Sequence, residues 1–240
     1  MLLFAMLVCH QAPSMDPSAD DIVAKAIAAH GGAEALGKAR ADKVRLRGTM
    51  TLLDKPVPFV GETSVVLPDR LRTVVKVNPG PQETVFTQLV SRNTIGMYIN
   101  GQSQKVSDGL AATLRETMLM NQAMRLVSLR KGNALSPTLV GSGAVNGRPA
   151  RILGVSPPGL REIRLWFDNE TGLLVKTEHQ VGAEPKLVLQ EEYFGDFREM
   201  GAYRRPAKVV TMRGGKKIME AELVEVRYPD FIPDSEFVEP

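Results

Sequence analysis

The stretch ETMLMNQAMRLVSLR, residues 116–130, carries three methionines, three leucines and a valine at helical spacing. When residues 110–129 are placed at about 100° per residue, apolar side chains occupy nearly every side, and polar residues interrupt them only singly. A helix that is apolar nearly all round is usually buried on more than one side. The sequence therefore predicts a helix over 110–129 that other elements enclose, rather than one lying on a flat surface.

Most of the remaining chain has the pattern of antiparallel strands. From Lys43 the apolar period changes from about 3.6 to about 2, so that Val44 and Leu46 share one face and the charged residues between them share the other. Turn signals separate similar runs as far as residue 228, which gives about eleven strands and no alternating βαβ pattern. The predicted fold class is α+β, mainly antiparallel β: a curved sheet or incomplete β-barrel of about eleven strands, covered and plugged by α-helices.

Two further elements frame this sheet. Ser18 precedes ADDIVAKAIAAH, which predicts an amphipathic helix that ends at Gly31-Gly32. The tail PDFIPDSEFVEP, 229–240, is proline-rich and contains three large apolar residues, so we expect a strap on the rim of the sheet, with disorder as the alternative.

Residues 1–14 form a separate segment in this interpretation, and residues 15–240 form a single domain. The apolar run LLFAMLVC, 2–9, resembles the core of a secretory signal and is too short to span a bilayer, which takes about 20 residues. It lacks a basic n-region, so an upstream start or a start at Met15 remain alternatives. Export to the periplasm or cell envelope is predicted, whereas Val8 before Cys9 disfavours a lipid anchor.

Composition excludes several function classes. The 30 basic and 27 acidic residues are interspersed and form no basic stripe, which argues against nucleic acid as a partner. The single cysteine, Cys9, cannot form an intrachain disulfide or a cysteine-based metal site. His10, His30 and His179 stand in no metal-binding frame, so no metal and no cofactor are predicted.

No catalytic motif is evident either. The glycine-rich GSGAVNG, 141–147, lacks the lysine of a phosphate loop and precedes a strand, so it is interpreted as a hairpin. The acidic residues Glu191, Glu192 and Asp196 fit a solvated strand face, and no GxSxG elbow occurs. The sequence predicts a protein that is not an enzyme.

Four strand-turn segments carry a resemblance to a known family: GETSVVLPDRLR (61–72), LWFDNETGLLVK (165–176), AYRRPAKVV (202–210) and AELVEVRYPDFIPDSEF (221–237). Together with the order of elements, from the first helix to the last strand, they resemble the LolA/LolB-like carriers and receptors of lipoproteins in the bacterial envelope. The resemblance implies an incomplete antiparallel barrel covered by helices, with acyl chains bound in the apolar space between them.

The function implied is that of a non-catalytic envelope protein that binds a lipid or lipoprotein acyl chain and can make peripheral contact with envelope membrane proteins. The alternative is an envelope regulatory or scaffold module with the same fold and a filled core. Methionines suit adaptable apolar surfaces, although they equally suit a plain core. The candidate cavity residues are Met50, Phe59, Val65, Leu71, Val75, Met97, Leu165 and Phe167 on strands, with Leu114, Met118 and Met124 on the helix.

Overall fold

The computed structural model describes residues 16–92, 94–133, 135–182 and 185–240. The predictions of a signal segment over 1–14, an unlipidated Cys9 and a start at Met15 lie outside these residues. Within them, thirteen strands form one antiparallel sheet. The strands are β1 (Ala41–Leu52), β2 (Lys55–Val66), β3 (Arg70–Val77), β4 (Thr84–Val90), β5 (Ile95–Ile99), β6 (Gln102–Ser103), β7 (Thr138–Val145), β8 (Arg148–Val155), β9 (Ile163–Asp168), β10 (Leu174–Val181), β11 (Val188–Met200), β12 (Tyr203–Arg213) and β13 (Lys216–Arg227).

Two meanders joined back to back make up the sheet. The strand order is β6-β5-β4-β3-β2-β1-β13-β12-β11-β10-β9-β8-β7, so the first and last strands pair in the middle while β6 and β7 form opposite edges. The connection from β6 to β7 must therefore cross the sheet. It contains the helix α3 (Asp108–Ala123), and this topology places α3 against one face of the sheet, which we call the inner face.

Helix α3 is enclosed, as the sequence predicts. Of its residues between Gly109 and Ala123, only Arg115 is exposed. Its N-terminus is capped by Ser107, whose hydroxyl accepts a hydrogen bond from the Leu110 amide at 3.3 Å. The predicted end at residue 129 is wrong, because Leu126 adopts a left-handed backbone (φ 62°) and a short 3-10 helix, Val127–Leu129, follows.

The sequence predicts about eleven strands, whereas the sheet has thirteen. The two strands that were not predicted are β6 and β7. The first has only two residues, and β7 is rich in glycine and serine, which are poor strand signals. The cause lies in packing: a Cβ atom on Gly143 of β7 would lie 2.5 Å from Cζ3 of the Trp166 ring. The strand uses small residues where the indole covers it, and this removes the apolar alternation from the sequence.

The N-terminal helices and the C-terminal tail pack as predicted. Helix α1 (Ala19–Ala29) is followed by α2 (Ala33–Lys38). The buried face of α1 belongs to the main core, together with Leu119, Met120 and Ala123 of α3. The tail is a strap, because Ile232 and Phe237 are buried with Tyr98 and other residues of the sheet rim. Glu236 fixes it through an ion pair with Lys43 at 2.5 Å. Within the described ranges, no helix is long and apolar enough to cross a membrane.

Strands β1 and β13 approach each other closely at Gly48, where a larger residue would not fit. A Cβ on Gly48 would lie 2.0 Å from the Glu220 carbonyl oxygen, so Gly48→Ala must displace a backbone and should lower the free energy of unfolding by about 2 kcal/mol or more. Gly195→Ala on β11 is the control, because its Cβ would meet nothing within 4 Å, and we expect a change within about 0.5 kcal/mol. Urea unfolding measures both. Equal effects would contradict the close approach of β1 and β13.

Candidate functional site: the cavity beneath the third helix

A cavity of about 920 Å³ lies between the inner face of the sheet and α3. Strands from both meanders contribute its apolar wall, and the helix contributes the facing side. The apolar lining includes Val44, Leu46, Val65, Leu71, Met97, Leu110, Leu114, Met124, Phe194, Val209, Met219, Ala221 and Leu223. Along β12 the lining extends from Tyr203 to Arg213, which corresponds to about 33 Å at the usual rise of a strand. The cavity is therefore elongated as well as large.

The side of α3 that faces the cavity carries a polar stripe of Thr113, Thr117 and Asn121. Each of these side chains donates to the carbonyl four residues earlier, and the three distances lie between 2.9 and 3.0 Å. Because these donors are satisfied within the helix, the stripe presents less unmet polarity to an apolar ligand. The stripe is a narrow polar face that the spacing of apolar residues alone does not reveal.

One buried ion pair attaches α3 to the strands beyond the cavity. The carboxylate of Glu116 is 1% exposed. It accepts two hydrogen bonds from Arg161, which lies in the loop between β8 and β9: Nε donates to Oε1 at 2.6 Å and Nη2 to Oε2 at 2.8 Å. The Arg161 guanidinium also donates to the Gly182 carbonyl at 3.1 Å. This bidentate geometry fixes the direction as well as the distance of the contact.

A second buried cluster lies at the end of the cavity near the start of β1. Asp42 is fully buried, and its Oδ2 lies 2.7 Å from both Nη2 of Arg125 and Nη1 of Arg205. The Tyr228 hydroxyl is 3.4 Å from the same Arg205 nitrogen. All four side chains line the cavity. Arg125 is the second residue after the end of α3, so this cluster attaches the end of the helix to the first strand.

Two more basic side chains, His30 and Arg204, line the same end. Burial lowers the pKa of the His30 imidazole below its ordinary value, and the charges of Arg204 and Arg205 act in the same direction. His30 is therefore neutral at pH 7, and the arginines supply the positive charge.

The opposite end of the cavity is polar in a different way. Glu192 lines it beside Gln190, and the Gln190 Oε1 accepts from the Arg213 guanidinium at 2.6 Å. Burial raises the pKa of the Glu192 carboxyl. The cavity consequently has an apolar middle and two polar ends.

The predicted cavity residues divide into two groups. Those that line the cavity are Val65, Leu71, Met97, Leu114 and Met124. The others lie elsewhere. Met50 and Phe59 line a separate pocket, and Val75 packs beside Phe59. Met118 packs with Leu114, and Leu165 and Phe167 lie in the core with α1. A role in ligand binding stays a prediction for the first group.

Sequence reasoning missed the charged residues of the cavity, although two signals pointed to them. Asp42 has the same parity as Val44 and Leu46, so on a strand it must face inward with them. Arg125 interrupts an otherwise apolar segment, and a cation buried in such a segment needs an anion nearby. Together these two signals predict the ion pair.

Solved structures with the same fold cover nearly the whole chain. A DUF1329 family protein from Desulfovibrio piger is similar at 12% identity over 90% of this chain and 95% of that chain, with a TM-score of 0.58. A putative outer membrane lipoprotein-sorting protein domain from Vibrio parahaemolyticus is similar at 11% identity, over 90% of this chain and 94% of that chain, with a TM-score of 0.55. A LolA superfamily protein from Nitrosomonas europaea is similar at 11% identity, over 93% of this chain and 98% of that chain, with a TM-score of 0.50.

These similarities confirm the predicted LolA-like fold, with an open, curved antiparallel sheet and helices covering it. No family model matches the sequence, and no curated protein matches it either. At this level of identity the shared feature is the fold.

The Asp42 cluster yields a prediction about stability. Asp42→Asn removes the carboxylate that Arg125 and Arg205 share, and neither guanidinium has another acidic partner among the described residues. We therefore expect the free energy of unfolding to fall by about 3 kcal/mol or more. Glu34→Gln is the control, because the exposed pair of Glu34 with Lys38 should contribute less than about 0.5 kcal/mol. Denaturant unfolding at neutral pH compares them. If Asp42→Asn were as stable as the control, the cluster would not stabilise the fold and the prediction would be wrong.

Proposed function

We propose that this chain is a non-catalytic binding protein of the cell envelope that holds a lipid, or the acyl chain of a lipoprotein, in the cavity beneath α3. The observation that carries the proposal is the elongated, apolar-walled cavity of about 920 Å³. Pockets for small apolar ligands are concave, largely apolar and equipped with a few polar groups, and this cavity has each of these properties.

The driving force would be burial of the acyl chain. Each methylene removed from water contributes about 0.8 kcal/mol, so even partial insertion of a long chain gives useful affinity. Met97 and Met124 lie on opposite walls, one on β5 and one directly after α3. Because methionine is flexible and polarizable, these walls can adapt to chains of different shape, and we expect loose selectivity for chain length.

The location in the envelope rests on the LolA-like fold and on the lipoprotein-sorting name that one structural neighbour carries. Export and peripheral contact with envelope membrane proteins belong to the same proposal. The absence of catalysis is also proposed here. In its support, the most deeply buried carboxylate of the cavity, Asp42, forms ion pairs with two arginines, and within the described residues no hydrogen bond joins it to a second acid or to His30.

The alternative, a scaffold or regulatory module with a filled core, requires that side chains occupy the space between helix and sheet. The volume of the cavity favours the carrier over this alternative. Native mass spectrometry of the protein purified without added lipid, followed by titration with a fluorescent fatty acid, tests the proposal. Lipid that co-purifies, or saturable binding of the probe, is expected; a protein that carries no lipid and ignores the probe would contradict it.

A pair of substitutions locates the bound probe. Met97→Asp places a charge on the cavity wall at a partly buried position, so it should preserve folding and weaken binding of the fatty-acid probe by about tenfold or more. Val60→Asp is the matched control on β2, because Val60 is 49% exposed and is not part of the cavity lining. Fluorescence titration gives both affinities. If the two variants lose affinity equally, the probe binds outside the cavity.

A further inference from the structure

The charges at one end of the cavity do not balance. Asp42 is fully buried, and the side chains of Arg125 and Arg205 are 11% and 26% exposed. In the described part of the chain these two guanidinium groups share that single carboxylate, and no other acidic side chain forms an ion pair with either. Arg204 adds a further positive charge to the lining, and the neutral His30 adds none.

A buried cation is costly unless an anion accompanies it. One carboxylate can compensate one of the two guanidinium groups, which leaves an excess of one positive charge beside the cavity. Each guanidinium also has more N–H donors than the contacts to Asp42 and Tyr228 occupy. The donors that remain match the oxygens of a carboxylate or phosphate, which guanidinium groups bind in a fork.

We propose that this end of the cavity binds the acidic headgroup of an amphiphile, a carboxylate or a phosphate, whose tail lies along the apolar middle. The inference rests on the proposed function and specifies the class of ligand. With an acid group in place, the cluster has two cations, Arg125 and Arg205, and two anions, Asp42 and the headgroup. The negative headgroup thus balances the positive charge that Asp42 alone does not compensate.

The surroundings suit such a headgroup. The ring of Tyr203 packs against that of Tyr228 with centroids 4.1 Å apart, which holds the Tyr228 hydroxyl beside Arg205. Apolar lining begins immediately beyond, at Val44 and Leu223. The far end offers a poorer site for an acid, because its two cations, Arg213 and Lys186, are exposed to solvent. Arg213 also already donates through Nε and Nη2 to the Gln190 side-chain oxygen. The headgroup therefore has a preferred end and the ligand a preferred direction.

Paired probes test the inference: cis-parinaric acid and its methyl ester have the same tail, and the headgroup is a charged carboxylate in the acid and a neutral methyl ester in the other. The acid should bind about tenfold more tightly, since hydrogen bonds to charged groups are the stronger ones. Arg204→Gln should weaken binding of the acid severalfold and leave binding of the ester unchanged, because Arg204 is exposed and lies outside the ion-pair cluster. Arg125→Gln also loosens the end of α3, so it should weaken binding of both probes, and of the acid more than of the ester. Arg227→Gln, on the exposed side chain that pairs with Glu225 outside the cavity, is the control and should change neither affinity.

Folding can be checked independently. In Arg125→Gln the negative charge of Asp42 is still paired with the positive charge of Arg205. We therefore expect a cooperative thermal unfolding transition, which shows that the variant is folded. Arg204 is exposed and gives a second variant whose folding does not depend on the cluster. A lysophosphatidic acid should displace the acid probe, whereas inorganic phosphate at the same concentration should not, because it has no tail.

The outcomes separate the two proposals. Equal affinity for acid and ester, in the natural protein and in both variants, would overturn the headgroup site while leaving the lipid-binding function intact. Displacement by inorganic phosphate as effective as that by the lysophosphatidic acid would also overturn it, since the site would then bind any small anion. Binding of neither probe would contradict the proposed function itself and the headgroup site with it.

Discussion

The structure depends on how α3 is held across the sheet. Because β6 and β7 are opposite edges, the connection between them must cross the inner face, and two buried ion pairs fix where it does so: Glu116 with Arg161 beyond the cavity, and Arg125 with Asp42 at the start of β1. Buried ion pairs add little net stability compared with apolar contacts, but their geometry is demanding. We expect them to set the position of the helix, and with it the space that remains between helix and sheet.

The fold was predictable where the period of apolar residues was clean. The alternation of β1 to β3 and the all-round apolar character of residues 116–130 predicted an enclosed helix on a curved antiparallel sheet, and the structure confirms both. Prediction failed where a local sequence is shaped by a distant contact. Gly143 in β7 is small because Trp166 covers it. Helix α3 ends at Ala123, and the chain turns at Leu126, which is fully buried and has a positive φ.

The site was less accessible from the sequence than the fold. Apolar periodicity shows which residues avoid water, but it does not distinguish the wall of a cavity from the core behind it. Leu114 and Met124 line the cavity, whereas Met118 lies between them in sequence and packs into the core. The charged cluster could be inferred only in part, because the pairing of Asp42 with Arg205 joins the first strand to the twelfth, 163 residues away.

The central claim is that an acyl chain occupies the space beneath α3, and the methionine methyl groups can report it directly. Among the 11 methionines, Met97, Met124 and Met219 line the cavity, whereas Met118 and Met120 are buried in the core. In NMR spectra of protein labelled with 13C at methionine methyl groups, addition of a fatty acid should shift the first three signals far more than the other two. Shifts of similar size in both groups, or none in either, would contradict the account.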